Sequence, residues 1–455
     1  MSKIRDIKDN IEIIESFLAD EIDYEISVSD LAKYLKSIKK EDEPLFFDLL
    51  QKFPNDLLGD IVLELPEHYL KSIIETIPSV QLTEAIEDLE SDDATDLIQD
   101  IEEIDEQKAE EILSSLDKED QEDIKKLIRY SEEQAGAYMQ TEIFTASYSE
   151  KISDAVDRLR TLKKEGDLEN VHQVSIVGKL DRLMYTISLE DLITFNFKNS
   201  FSEELENRED DFKARYVQDD EDIAKVIELF EDYDLSSLPI VDYHGKLLGR
   251  ITADDIHDII QERATEQIYN LAGVDDEAEH EESIYEAGKA RVAWLSLNLL
   301  TAILGASVIG LFTDVIGTYV ALAILMPIVA SMGGNAGTQS LTIMVRQLAL
   351  GEIDNENAKE AIKKEMILAI TNGVVFAILI GIISFFWFND VRIGFVIALA
   401  MLINLLAAGF IGSMVPLMLK RFGIDPAVGS SVFLTTTTDI VGFFSFLGLA
   451  SLVMM

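Results

Sequence analysis

The chain has 455 residues, a formal charge of -47 and no cysteine. Its length allows several domains, and the missing cysteine excludes disulfides and thiolate metal sites. The charge repels nucleic acid and anionic lipid headgroups and attracts cations.

The charge is uneven. Residues 1–291 carry 76 acidic and 31 basic side chains, whereas nine acidic and seven basic residues follow from Val292 onward. An acidic body is therefore joined to a nearly neutral apolar part. A solvated, solubilising surface explains such a body as readily as a cation site does. MSKIRDIKDNIEI has no apolar core and does not resemble a signal peptide, so the acidic body is expected in the cytoplasm.

Residues 1–135 read as an all-α domain of short helices. Phe53-Pro54, Leu65-Pro66 and Ile77-Pro78 recur every twelve residues, Leu89 continues the spacing, and Ile104 and Leu116 resume it after a shift. Between the prolines lie patterns such as NDLLGDIVLEL, apolar at helical spacing. A short helical repeat stacked into a superhelix fits this pattern. The stretch ESDDATDLIQDIEEIDEQ, residues 90–107, is dense in carboxylates.

Residues 136–265 change character. HQVSIVG (172–178) and LPIVD (238–242) are short strand candidates, and YHG after the second predicts a hairpin turn. The order helix–strand–turn–strand–helix occurs twice, an α+β pattern. Each copy ends a strand with Ser/Thr-x-x-Asp at a helix start, Ser188…Asp191 and Thr252…Asp255. A capping box explains each locally. The repeated units resemble a tandem pair of CBS modules, whose Gly-x-x-Thr-x-x-Asp ending is matched by Gly249, Thr252 and Asp255. The first copy has Tyr185 in place of that glycine.

Residues 266–290 read as a long connecting helix, and residues 291–455 as an all-α membrane domain. Five runs are long enough to span a bilayer, about 292–313, 315–345, 366–388, 393–419 and 427–455. The second is long enough to require a tilted or broken helix. With the N-terminus inside, eight basic residues lie on the cytoplasmic side and Arg392 alone on the other, which places the C-terminus outside.

The last run carries one charge, Asp439, just after four threonines. A carboxylate at depth must face protein or water, and no intramembrane Lys or Arg is at hand to pair with it. Thr435 lies one turn earlier on the same face. The second run contains MPIVASMGGNAGTQS (326–340), in which Ser331, Asn335 and Gln339 form a polar stripe. Its glycines permit either close helix contact or local unwinding. A neutral amide stripe with one carboxylate suits a hydrated divalent cation such as magnesium, which gives up water reluctantly.

Taken together, PIVASMGGNAGTQS, LAGVDDE (271–277), TTTTDIVGFF and the CBS pair resemble the MgtE family of magnesium channels and transporters, over almost the whole chain. The resemblance implies a multidomain protein of the cell membrane that takes up magnesium, built as a homodimer with its pore at the dimer interface. It implies that Asp439 is the intramembrane magnesium site, with Asn335 and Thr435 lining the path. It implies regulatory magnesium ligands among Asp92, Asp96, Asp234, Asp255, Asp258 and Glu266. ATP binding at the CBS pair, through Thr252 and Asp255, is implied as well. On this reading magnesium draws mutually repelling acidic domains together and closes the pore. Two other readings stay open: a carrier exchanging Mg²⁺ for Na⁺ or H⁺, and a membrane-anchored CBS adenylate sensor. The five scattered His and the absence of nucleophile or phosphate-loop motifs speak against an enzyme.

Overall fold

The computed structural model describes residues 2–19, 26–166, 168, 170–206, 208–274, 284–349, 352–353 and 357–455. It divides into two units, Met1–Gln261 and Glu262–Met455. The end of LAGVDDE and the middle of the expected connecting helix, residues 275–283, lie outside the described residues.

Among the described residues, the first unit begins with nine short α-helices: α1 (Ser2–Leu18), α2 (Val28–Lys39), α3 (Glu43–Leu50), α4 (Asn55–Glu64), α5 (Leu70–Thr76), α6 (Ser79–Glu87), α7 (Ser91–Ile104), α8 (Glu106–Ser115) and α9 (Lys118–Leu127). The proline spacing is their punctuation. Pro54 and Pro78 cap α4 and α6, and Pro66 caps a 3₁₀ turn before α5. The residue before a proline is pushed out of the helical region, so each preceding helix stops there. Phe53, Leu65 and Ile77 are then free to turn into the core, where they are buried. Once the prolines run out, aspartates take over the capping. Asp105 accepts from the Lys108 backbone N–H (3.1 Å), and Asp117 accepts from that of Glu119 (2.8 Å). Leu116 is buried after α8, and Ile104, at the equivalent place in the spacing, ends α7 with its side chain exposed while Ile101 is buried.

The β-containing part follows with β1 (Thr145–Ser147), α10 (Ile152–Glu165), β2 (Gln173–Val177), β3 (Leu183–Ser188), α11 (Leu189–Thr194) and α12 (Phe201–Leu205). The second copy comprises β4 (Val217–Gln218), α13 (Ile223–Tyr233), β5 (Ser237–Val241), β6 (Leu247–Thr252) and the start of α14 (Ala253–Ala272), a helix whose residues from Glu262 onward belong to the second unit. Each copy forms a three-stranded sheet whose first pair is parallel and second antiparallel. The expected turn holds Gly245 at φ +80°. There Asp242 accepts from the His244 and Lys246 backbone N–H groups, both at 2.8 Å. Ile176 pairs with Tyr185 as Ile240 pairs with Gly249, so the two positions are structural equivalents.

The second unit contains α15 (Ile284–Gly310), a short α16 (Thr313–Thr318), α17 (Val320–Ala349), α18 (Ala358–Phe388), α19 (Val391–Arg421) and α20 (Ser430–Met454). Among the described residues, five of these are long and apolar enough to cross a membrane. The α19 helix is the most enclosed and packs against α17, α18 and α20. The α17 helix runs unbroken through Pro327 and its glycines. Of the two uses open to those glycines, close contact is the one realised: Gly337 lies against Leu434 of α20.

Candidate functional site

The two faces of α17 differ sharply. Val329, Gly333, Gly337, Ser340 and Leu341 are buried, whereas Ser331, Asn335, Thr338 and Gln339 are exposed. Amides facing hydrocarbon are unfavourable, so this face calls for water or protein. Within the stripe, Asn335 donates to the Ser331 hydroxyl at 3.4 Å.

The threonines of α20 donate to the preceding helical turn: Thr435 to Ser431, Thr436 to Val432 (2.6 Å), Thr437 to Phe433 (2.8 Å) and Thr438 to Leu434 (3.0 Å). Their protons are thus committed locally while their lone pairs remain available. Thr435 is exposed and sits beside Gly334 of α17, where an added Cβ would lie 3.9 Å from its methyl group. Asp439 is half-buried and lies next to Gly305 of α15. Among the described residues no hydrogen bond or ion pair satisfies its carboxylate. Asn335, Thr435 and Asp439 therefore lie on two helices in direct contact, α17 and α20.

A second acidic site lies within the first unit, where the start of α7 meets the start of α14. Asp92 is buried, and its Oδ1 and the Oε1 of Glu90 have no hydrogen-bond partner among the described residues. Burial pushes Asp92 well above the usual carboxylate range, and the charges of Asp255 and Asp93 add to the effect. Burial likewise raises Glu90 to about 7, against the pull of Arg250. Asp93 rises to about 6 through burial and the charges of Asp255, Asp60, Asp254 and Asp258. Asp255 is raised by burial as well, although it accepts from the Thr252 backbone N–H (3.0 Å) and hydroxyl (2.7 Å). The buried Arg250 guanidinium stands 3.6 Å from Glu90 and donates to the Gln140 amide oxygen at 3.1 Å. One cation thus faces several desolvated carboxylates, a deficit that a proton or metal ion relieves. Among the described residues no three His, Asp or Glu side chains already stand close enough to hold a metal ion.

Of the expected regulatory ligands, Asp92, Asp255 and Asp258 thus belong to one cluster. Asp96 is exposed one turn along α7, and Asp234 is exposed in a left-handed conformation (φ 49°) after α13. Glu266 belongs to the other unit, where it accepts from Asn270 at 3.3 Å, and Asn270 also donates to Asp425 at 3.1 Å. Thr252, expected at a nucleotide, is buried with its hydroxyl committed to Asp255.

The sequence reading passed over Glu90, Asp93 and Arg250, which complete this cluster. The signal for Glu90 and Asp93 was the charge density of residues 90–107; Arg250 had none of that kind. It also passed over two buried polar contacts behind α17. Glu365 of α18 accepts from Ser340 at 2.6 Å, and Asn404 of α19 donates to the Val329 carbonyl at 2.8 Å. Asn404 is a lone amide in an uncharged apolar run, the kind of residue that singled out Asn335.

The family of divalent cation transporters designated MgtE matches residues 326–449. The MgtE intracellular N domain matches 26–133, and the CBS domain matches 211–262. A magnesium transporter MgtE from Enterococcus faecalis is 33% identical over 332 residues, covering 73% of this chain and 71% of that protein. One from Thermus thermophilus is 30% identical, covering 73% and 72% respectively. Among solved structures, the soluble part of a magnesium transporter is 23% identical with a TM-score of 0.48, covering 58% of this chain and 99% of that one.

Proposed function

Since the chain belongs to the MgtE family of divalent cation transporters, we propose that it carries magnesium across the membrane between α17 and α20, with Asp439 as the intramembrane cation site. The observation that carries this reading is a half-buried carboxylate without a partner among the described residues, on a helix packed against the one that bears an exposed amide stripe. Magnesium binds through few carboxylates and keeps most of its water. Asp439 supplies the charge, while Asn335 and the lone pairs of Thr435 accept hydrogen bonds from that water. Two copies related by a two-fold axis would turn their stripes toward each other and away from lipid, which supports a homodimer with the pore between protomers. The basic residues favour a cytoplasmic N-terminus and an external C-terminus.

The acidic cluster at the α7–α14 junction supports regulation by cytosolic magnesium. Its donor set of desolvated carboxylates, with the Asp92 Oδ1 buried and without a hydrogen-bond partner among the described residues, suits a hard cation. Asp92, Asp93, Asp255 and Glu90 would hold it, with Asp258 adding charge. Such an ion relieves repulsion in the compact arrangement, so magnesium favours that arrangement over a looser one. A nucleotide such as ATP at the second CBS copy requires Thr252 and Asp255 to exchange their mutual hydrogen bonds for contacts with it.

Purified protein in liposomes tests the transport reading. Wild type passes Mg²⁺, and Asp439→Asn, which keeps the size and removes the charge, cuts flux by at least about a hundredfold, an effect on the scale of a charge unpaired within a membrane. Normal flux in Asp439→Asn would remove the carboxylate from the mechanism.

A further inference from the structure

Asn404 of α19 is fully enclosed. Its amide nitrogen donates to the Val329 carbonyl of α17, and its Oδ1 is buried without a partner among the described residues. It fits between two glycines. A Cβ at Gly442 of α20 would stand 2.8 Å from its amide nitrogen, and one at Gly333 of α17 would overlap the amide outright. Gly333 lies two residues before Asn335, and Gly442 lies three after Asp439. A buried amide with an orphaned oxygen is costly where an apolar side chain would be satisfied. Here it occupies the junction of the two helices that bear the pore residues.

We propose that Asn404 is a positioning residue that sets the separation of α17 and α20, and through it which divalent cations pass. The proposal rests on the reading of Asp439 as the cation site. The amide acts as a spacer. Its width holds Gly333 and Gly442 apart, and its hydrogen bond to Val329 fixes the height of α17 against α19. The distance from the amide stripe to the carboxylate follows from both. A passage accepting hydrated magnesium is sensitive to that distance, because magnesium demands near-ideal geometry where calcium tolerates a looser one.

Full-length protein in liposomes, assayed for Mg²⁺ and Ca²⁺ flux, tests the spacer. Gly442→Ala drives a methyl group into the amide and lowers Mg²⁺ flux by about tenfold or more, as small displacements of a reacting geometry do. Adding Asn404→Ala to Gly442→Ala vacates that space and returns most of the flux. Asn404→Ser alone keeps a polar group but loses the width, and lowers the Mg²⁺/Ca²⁺ flux ratio by about tenfold, a discrimination typical of modest changes in fit. A residue that only stabilised the bundle would leave that ratio unmoved. The spacer is overturned if the double variant stays as poor as Gly442→Ala, misfolded or folded, or if Asn404→Ser discriminates like wild type. Asp439→Asn, run alongside, separates the two ideas: full flux there removes the cation site itself, whereas its loss with unchanged Asn404 variants removes the spacer alone.

Discussion

Glu90 and Asp93 show what desolvation does to a carboxylate with too few partners. Both titrate above the ordinary range, to about 7 and about 6, so the folded first unit binds protons that the unfolded chain has already lost. Where the unfolded state holds fewer protons, stability falls as pH rises. Below about pH 4 both states are protonated and these groups contribute no difference. Between there and about pH 7 the unfolded chain ionises first, and the fold is progressively disfavoured. In metal-free solution, denaturation of a fragment comprising residues 1–261 should therefore show stability falling as pH rises across that window. Added Mg²⁺ should restore more stability at pH 8 than at pH 5, where protons already fill the deficit. An equal Mg²⁺ effect at both values would mean that the cluster does not bind the ion. Glu90→Gln should flatten part of the pH dependence, since the amide needs no counter-ion.

At the scale of elements, Gly249 shows how far the sequence could be read. Its place in Gly-x-x-Thr-x-x-Asp marks it as part of a ligand motif, but the structure gives it a packing reason. The Gln140 backbone exchanges hydrogen bonds with Arg250 at 2.8 and 2.9 Å, so a Cβ on Gly249 would lie 2.7 Å from the Gln140 carbonyl. Gly249→Val should therefore destabilise the second CBS copy by about 2–3 kcal/mol, the usual penalty of overpacking, measured by denaturation without any nucleotide. No loss of stability would return the glycine to a purely ligand-binding role. The equivalent Tyr185 instead stacks on Tyr148, with ring centroids 5.8 Å apart. Elements with strong local punctuation were legible in advance. The helix starts at Pro54, Pro66 and Pro78, the doubled strand–turn–strand order and the five apolar helices all follow from local rules. The shift in spacing between Leu89 and Ile104 is where the 14-residue α7 falls. Asn335, Thr435 and Asp439 were legible because polar groups stand out against an apolar run. Asn404 and the partners of Asp92 were not, because their meaning lies in what other helices bring against them, and one sequence without pairing information does not encode that openly.

For the whole molecule, nearly all of the charge lies in the first 291 residues, while the proposed conduction residues Asn335, Thr435 and Asp439 all follow them. Conduction and its control should therefore be separable by truncation. The acidic body contributes repulsion that rises as magnesium is withdrawn and falls as magnesium screens or occupies its carboxylates. A binding-competent compact state gains from the ion only by its differential affinity over the looser state. If that difference is what closes the pore, removing residues 1–265 removes the differential term and leaves the pore itself intact. Liposomes carrying residues 266–455 should then pass Mg²⁺ at a rate independent of magnesium on the side where the body would lie, whereas the full chain slows as that concentration rises. Substituting Asp92 and Asp255 together by Asn should move the full chain part of the way toward the truncated one, because it removes two of the carboxylates that favour the ion without deleting the fold. A truncated chain that still shut down with added magnesium would locate the sensor in the membrane unit, and the acidic body would revert to a solubilising surface.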